Sequence, residues 1–491
     1  MSDTLKVKQN GQVYTPEFLV QNILDYAGYV SGEILQKHII DNSCGEGAFL
    51  CMIVQRYCTD FLKHSDDRKH LALELSTFVH GIEVDARAHA RCIENLHILE
   101  QEWKLPPVSW DIQLADALLV KDYDGLMDFV VGNPPYVRVH NLAQSYDLVK
   151  NFKFASEGMT DLYLVFFEIG LRMLHSKGRL CYITPSSWLN SLAGAKMRTY
   201  LYQQQCLKMV VDLAHFQAFS ATTYTMITLL ERDLNSSTFT YYVYNPRKLM
   251  REKVANLRWE EAFISGMVCL GTPETLYTYS EMIKSNCNHF VSVKNGFATL
   301  ADKVFIAQEF PFEQFVIPVL KASTGKWYKG FFPYNHQGKP LSADELFASP
   351  QLAQYLKTHK DDLLKGKNEE DVPSWYLYGR TQALKDVAVE KIAINTVVKD
   401  VASIKLNRVP EGAGLYSGLY ILGRVPYEKI QELILSDIFI DYIALLKKYK
   451  SGGYYTFSSK DLEIYLNYQL SQQQYTDEQS RVSEGYLQFV S

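Results

Sequence analysis

The 491-residue sequence lacks the usual marks of a secreted, membrane or metal-binding protein. Its eight cysteines form no Cys-x-x-Cys pair and no cysteine–histidine spacing typical of a metal site, so we expect reduced thiols and no metal. No apolar run reaches the roughly 20 residues of a membrane-spanning helix, and the N-terminus is polar. These absences predict a cytoplasmic protein without membrane contact.

The chain also lacks an excess of positive charge. Its formal net charge of −5 excludes a nucleic-acid-binding protein that is basic throughout, so any such contact must use a local patch. Aromatic residues, at 13% of the chain, are by contrast abundant, and rings beyond the needs of a core often stack on bases. The length predicts two or three domains.

One short stretch combines an apolar strand with an unusual loop. Phe129–Val131 has the character of a buried strand, and Gly132 ends it. The loop that follows holds Asn133, two prolines and Tyr136, which together offer hydrogen-bond acceptors beside an aromatic face. Such a loop suits an exocyclic amine on a flat heterocycle. Taken by itself, such a loop also occurs as a rigid turn that caps a strand.

Three acidic residues upstream of this loop change that balance. Asp41, Glu83 and Asp116 each follow an apolar strand, and the first is succeeded by a Gly-x-Gly turn and a helix. Strands that alternate with helices predict an α/β fold with a doubly wound, mostly parallel sheet. Because ligands bind at the carboxyl ends of such strands, we expect these acids and Asn133 to lie at one edge.

The order of these motifs resembles a known family. Thr-Pro-Glu from Thr15, Asp-x-x-Cys-Gly-x-Gly-x-Phe-Leu from Asp41, Gly-Ile-Glu-Val-Asp, Ala-Asp-Ala and Asn-Pro-Pro-Tyr are similar to the S-adenosylmethionine-dependent N6-adenine DNA methyltransferases of the gamma arrangement. The resemblance covers roughly residues 10–235. It implies a Rossmann-like class I methyltransferase fold, S-adenosylmethionine as cofactor, double-stranded DNA as partner and a base flipped out of the helix.

The resemblance also implies roles for individual residues. The cofactor would be lined by Thr15, Asp41, Ser43, Gly45, Glu83, Val84, Asp116 and Ala117, with Glu83 on the ribose hydroxyls and Asp116 on the adenine amine. Asn133, Pro134 and Tyr136 would be catalytic. Tyr136 and Phe219 would stack on the target base, although Phe216 in the same loop is an equal candidate for the second ring.

The second half of the sequence has a different pattern. After about residue 240 the alternation of strands and helices fades, which predicts a catalytic domain over 1–240 and a mixed α+β target-recognition domain over 241–491. Two aromatic and basic stretches, Trp327–Tyr334 and Trp375–Gln382, are predicted to be loops that face DNA. The second of them is similar to a stretch that recurs in the recognition halves of the family.

These features together predict a monomeric, site-specific adenine DNA methyltransferase. It would act either with a cognate restriction endonuclease in a restriction-modification system or as an orphan enzyme. One alternative is an N5-glutamine protein methyltransferase, because Asn-Pro-Pro-Tyr also serves a planar amide in those enzymes. The other is a nucleic-acid-binding subunit that keeps the fold without turnover.

Overall fold

The computed structural model describes residues 15–138, 146–156, 161–219, 223–285, 289–365 and 374–488. Cys287 lies outside these ranges. The chain divides into two compact units, the first ending at Ser280 and the second beginning at Glu281. Within the described residues no helix is both long and apolar enough to cross a membrane.

The first unit is built around one sheet of nine strands. The strands are β1 (Ile39–Asp41), β2 (Val79–Glu83), β3 (Asp111–Leu114), β4 (Met127–Gly132), β5 (Leu174–Pro185), β6 (Leu207–Asp212), β7 (Thr225–Glu231), β8 (Thr238–Asn245) and β9 (Met250–Arg258). Their order across the sheet is β3-β2-β1-β4-β5-β7-β6-β8-β9. Two further short strands, β10 (Phe263–Ile264) and β11 (Met267–Val268), form a separate hairpin.

Helices connect these strands. They are α1 (Glu17–Ala27), α2 (Ala48–Phe61), α3 (Arg68–Phe78), α4 (Ala86–Glu102), α5 (Tyr146–Val149), α6 (Leu162–Met173), α7 (Ala195–Gln204), α8 (Trp259–Ala262) and α9 (Pro273–Lys284), the last of which extends past the end of the unit. The apolar faces of α1, α2 and α4 pack with the inner strands into one buried cluster that includes Leu24, Leu50 and Leu96. This core holds the strand ends in place.

The predicted doubly wound, mostly parallel sheet is confirmed. Strands β1 to β5 pair in parallel, whereas β7 runs antiparallel to both β5 and β6. Because β1, β2 and β4 run in one direction, Asp41, Glu83 and Gly132 end at the same edge of the sheet. We call this edge the carboxyl edge.

The extent of the first unit differs from the sequence-based prediction. The predicted domain boundary after residue 240 falls inside β8, because β8 pairs with β6 and thereby continues the central sheet. The first compact unit consequently extends to Ser280. Helix α1 has Pro16 rather than Thr15 at its N-cap, which leaves the Thr15 side chain for another contact.

The second unit contains mixed secondary structure. Its strands are β12 (Val291–Asn295), β13 (Ile306–Ala307), β14 (Val316–Lys321), β15 (Lys326–Phe331), β16 (Lys391–Ile394), β17 (Val397–Val398), β18 (Leu406–Val409), β19 (Gly414–Tyr416), β20 (Leu419–Gly423), β21 (Tyr449–Lys450) and β22 (Tyr454–Thr456). They form two four-stranded sheets and one of three strands. The helices are α10 (Asp302–Phe305), α11 (Ala343–Phe347), α12 (Pro350–Thr358), α13 (Lys360–Leu364), α14 (Tyr427–Ile434), α15 (Asp437–Leu445) and α16 (Ser459–Gln488).

The aromatic stretches of this unit serve mainly as its core. Trp327–Phe331 lies in β15 and is therefore a strand rather than the predicted loop, while Trp375–Gln382 contains no strand. Phe331, Phe332 and Tyr334 are buried, as are Tyr376 and Tyr378, and all five belong to one apolar cluster. Tyr328, Trp375 and Leu377 also pack against this cluster, whereas Trp327 and Arg380 are exposed. Burial of the rings explains why aromatic content alone overstated the exposed surface.

Candidate active site

The predicted glycine turn joins β1 to α2 at the carboxyl edge. Gly45 and Gly47 both have positive φ angles, +55° and +90°, which non-glycine side chains rarely adopt. A Cβ built on Gly45 would meet nothing within 4 Å, so the backbone there is open to a ligand. The hydroxyl of Ser43 is buried and has no hydrogen-bond partner among the described residues. The turn thus presents an open backbone beside an unsatisfied hydroxyl.

Glu83 lies next to this turn. Its side chain is buried and accepts hydrogen bonds from the backbone N–H of Gly45 at 2.8 Å and of Asp85 at 2.8 Å, one on each carboxylate oxygen. Each oxygen keeps a second lone pair, so the carboxylate can still accept paired hydroxyl donors. The backbone bond from Cys44 N to Ile82 O, at 3.0 Å, ties the turn to β2.

The other predicted cofactor residues surround the ends of β2 and β3. Val84 is 68% exposed although it is apolar, and Ala117 is buried. The Asp116 carboxylate accepts from Leu118 N at 3.0 Å and is half-buried. An exposed apolar side chain beside a fixed carboxylate suits a heterocycle that carries an amine.

Asp41 connects this region to the Asn133 loop. It is buried, accepts from Ser43 N at 3.1 Å, and lies on the strand directly beside β4. A Cβ built on Gly132 would stand 2.7 Å from Asp41 Oδ1, so only glycine permits this approach. Burial raises the pKa of Asp41 to about 7, and the neighbouring Glu83 carboxylate adds to the rise.

The Asn133 side chain is fixed from the opposite side. Its Nδ2 donates to the hydroxyl of Thr15 at 3.1 Å, just before α1 begins. Asparagine thereby uses its donor group within the protein and presents its carbonyl oxygen as an acceptor. Pro134 is buried, and as a proline it contributes a carbonyl but no N–H to the loop.

Two rings adjoin this loop. The hydroxyl of Tyr136 donates to the Ile183 carbonyl at 3.0 Å, and burial raises the pKa of this phenol well above its ordinary value. The Phe219 ring lies 6.2 Å from the Tyr136 ring, centroid to centroid, at an angle of 74°. Phe216 instead packs against Phe18 and Tyr244. Phe219 is therefore the ring beside Tyr136, and the two rings form adjoining walls rather than parallel ones.

The structure also shows a positioning residue that sequence reasoning missed. Asn42 is buried between the predicted Asp41 and Ser43, and its Oδ1 accepts from the hydroxyl of Tyr182 at 2.8 Å. This bond joins the glycine turn to β5. In the sequence, the available signal was an amide side chain directly after an apolar strand. Such amides are also common in ordinary turns, so the signal did not single out Asn42.

Comparisons with known proteins show that the chain is similar to restriction-modification methyltransferases. Residues 47–219 match the model of the Eco57I restriction-modification methylase family. The chain is 25% identical over 422 residues to the type II methyltransferase M.BstVI of Geobacillus stearothermophilus, which covers 75% of this chain and 74% of that protein. It is 30% identical over 237 residues to the type II methyltransferase M.XhoI of Xanthomonas vasicola, covering 46% of this chain and 43% of that one.

Some relatives are longer than this chain, which matches only part of their length. The chain is 23% identical to the type II restriction enzyme and methyltransferase RM.Eco57I of Escherichia coli, and it spans 48% of that protein. Among solved structures, the type IIL restriction-modification enzyme MmeI in complex with DNA has the same fold over 93% of this chain and 64% of its own, with a TM-score of 0.61 at 12% identity. The relatives are type II restriction-modification methyltransferases, as predicted, and residues 47–219 are the part of the chain that is similar to the Eco57I restriction-modification methylase family.

Proposed function

We propose that the protein transfers the methyl group of S-adenosylmethionine to N6 of an adenine flipped out of double-stranded DNA. The observation that carries the proposal is the Asn133 amide, oriented by Thr15 and followed by a buried Pro134 and the Tyr136 ring. The type II methyltransferase relatives support DNA as the substrate class. They disfavour both a glutamine methyltransferase and a subunit without turnover.

The chemistry follows from the needs of the amine. The lone pair of N6 in adenine is delocalised into the ring, so the amine is a weak nucleophile. Asn133 Oδ1 and the Pro134 carbonyl would accept its two hydrogens and draw the nitrogen toward a tetrahedral geometry. An amine within a base pair cannot reach this loop, so the base must leave the stack, and contact with Tyr136 and Phe219 would offset part of that cost.

The residues of the glycine turn fit the proposed cofactor. S-adenosylmethionine would supply an electrophilic methyl group on a sulfonium. Glu83 has lone pairs for the ribose hydroxyls, and the unsatisfied Ser43 hydroxyl and open Gly45 backbone leave polar groups for the remainder. Val84 and Asp116 flank the place where an adenine ring and its amine would bind. A cationic ligand would also stabilise the buried Asp41 carboxylate.

Replacement of Asn133 tests the proposal. We expect Asn133→Ala to lower methyl transfer to DNA by at least about a thousandfold, because one of two transition-state acceptors is lost, while affinity for the cofactor stays near normal. Tritiated-methyl transfer and calorimetric cofactor binding measure the two quantities. Asn235→Gly is the control, since this exposed asparagine lies in the turn between β7 and β8, at the edge of the sheet opposite Asn133, and glycine tolerates its φ of +48°.

Substrate class is tested in the same assay. Tritium should appear in DNA and not in RNA or protein when all three are supplied. Label that entered protein alone would overturn the proposal in favour of a glutamine substrate. A monomeric state, a cognate endonuclease and a recognition role for residues after 280 remain predictions that size-exclusion chromatography and DNA-binding measurements can address.

A further inference from the structure

A β-hairpin outside the catalytic loops also reaches the carboxyl edge. Strand β8 is parallel to β6, and β6 and β5 both run antiparallel to β7, so β8 points the same way as β4. The turn after β8 therefore lies at the edge that holds Asn133. Four strand spacings separate β4 from β8, which amounts to roughly 20 Å. That is less than one helical turn of duplex DNA, about 34 Å.

This hairpin differs in charge from the rest of the chain. Residues 245–258 contain five basic side chains and one acid, a formal net charge of +4 in a protein whose net charge is −5. Two of these cations already interact with other side chains: Lys248 pairs with Glu252 at 2.7 Å, and Arg251 lies over the rings of Tyr26 and Tyr242. Arg247 is exposed and has no acidic partner within the described residues. It is thus available to an external anion.

The tip of the hairpin is exposed yet ordered by its own contacts. Asn245 Oδ1 accepts from the N–H groups of Arg247 at 2.9 Å and Lys248 at 3.3 Å. Leu249 and Met250, although apolar, are each 51% exposed, and Leu249 adopts a φ of +52°. Exposed apolar side chains beside a free cation match the surface of proteins that touch both phosphates and the groove of DNA.

Helix α1 links the hairpin to the catalytic loop. The helix follows Thr15, which holds Asn133, and two turns later Asn22 donates to the Leu249 carbonyl at 3.3 Å. Between them the ring of Phe18 stacks on Tyr244 of β8, with centroids 6.4 Å apart. The hairpin is therefore held in a fixed position relative to the loop that would receive the base.

We propose that the β8–β9 hairpin is a second DNA contact, in which Arg247 binds a backbone phosphate flanking the target base and Leu249 lies against the groove. This inference rests on the proposed function, because a duplex that delivers a base to Asn133 must extend across the carboxyl edge. The contact would bind DNA irrespective of sequence and would position the duplex for base flipping.

Substitution of Arg247 tests the contact. For Arg247→Gln in the full chain we expect the KM for genomic DNA to rise about tenfold with little change in kcat. The slope of log Kd against log salt concentration, measured by anisotropy on a mixed-sequence duplex, should fall by about 0.9. Arg247→Lys should restore both. Leu249→Asn, which tolerates the positive φ, should raise Kd without changing the salt slope.

Lys177→Gln is the matched control. Lys177 is exposed near the start of β5 and so lies at the opposite edge of the sheet. It should behave as the wild type. A salt slope and KM for Arg247→Gln equal to those of Lys177→Gln would overturn the hairpin contact. The binding measurement needs no turnover. A wild-type protein that bound DNA but transferred no methyl group would therefore contradict the proposed function, and the salt dependence of DNA binding would still test the hairpin contact.

Discussion

At the scale of single residues, Asp41 is the clearest case of a side chain retained at a cost in stability. It is buried, and within the described part of the chain its carboxylate accepts a hydrogen bond from the N–H of Ser43. Burial raises its pKa to about 7, above the ordinary value of about 3.9. The folded state thus holds a proton that the unfolded state releases, so the free energy of unfolding should fall as pH rises from about 4 to about 7.

Asp41→Asn should remove this dependence. The amide keeps an acceptor for the N–H of Ser43 but carries no charge. As the pH rises from 4 to 8, the free energy of unfolding of the variant should therefore increase by about 2–4 kcal/mol relative to that of the wild type. Urea unfolding across this range measures the difference. Parallel pH profiles for the two proteins would contradict the explanation.

Asp41, Glu83, Asp116 and Asn133 could be proposed for the site from the sequence because each follows an apolar strand, whereas the other proposed site residues rest on the resemblance to the methyltransferase family. The contacts that orient them could not. The hydrogen bond from Asn133 to Thr15 spans 118 residues, and that from Tyr182 to Asn42 spans 140. Nothing in either local sequence distinguishes such a partner from a capping or turn residue. The same holds for Phe219 and Phe216, which only packing separates.

At the scale of elements, the amino ends of β1 to β3 carry a chain of ionisable groups remote from the carboxyl edge. His38 Nδ1 lies 2.9 Å from His80 Nε2, and His80 Nδ1 lies 2.6 Å from Asp111 Oδ2. Because one of the two contacting ring nitrogens must accept, one ring in this pair has to be uncharged. Burial and the neighbouring His80 lower the pKa of His38.

A lowered histidine pKa makes stability depend on pH in the opposite sense to Asp41. The unfolded state binds the proton first, so the contribution of His38 is present above pH 6.5 and is lost as pH falls through the folded value. The free energy of unfolding of His38→Phe, whose ring can still pack on Phe78, should fall less than that of the wild type between pH 7 and pH 5. Equal losses in the two proteins, measured by urea unfolding, would contradict a lowered pKa of His38 in the folded state.

At the scale of the whole molecule, the sequence indicated that the chain has two parts but not the residue at which the first part ends. The change in pattern after residue 240 is real, since β8 and β9 are joined by a hairpin rather than a helix. Strand character does not reveal which sheet a strand joins, so β8 was assigned to the wrong half. Similarly, the rings of the second unit could be counted from the sequence, whereas their burial depends on contacts such as that between Phe305 and Tyr378.

Neighbouring residues of the second unit should separate stability from recognition. Tyr378 is buried and donates its hydroxyl to the Phe331 carbonyl at 2.8 Å, whereas Arg380 is exposed. Tyr378→Phe should lower the free energy of unfolding by about 1–2 kcal/mol and leave DNA affinity unchanged. Arg380→Gln should weaken DNA binding and leave the free energy of unfolding unchanged. Thermal unfolding and DNA-binding anisotropy should be measured on both variants, so that each variant is the control for the other.

The main proposal for this protein is that the Asn133 loop binds the exocyclic amine of an adenine in DNA during methyl transfer from S-adenosylmethionine. Its most direct test is to incubate the wild-type protein with tritiated S-adenosylmethionine and genomic DNA, digest the DNA to nucleosides and separate them. We expect label in N6-methyldeoxyadenosine, and at least about a thousandfold less when Asn133→Ala replaces the wild type. Label in a cytosine nucleoside, or unchanged label with the variant, would contradict it.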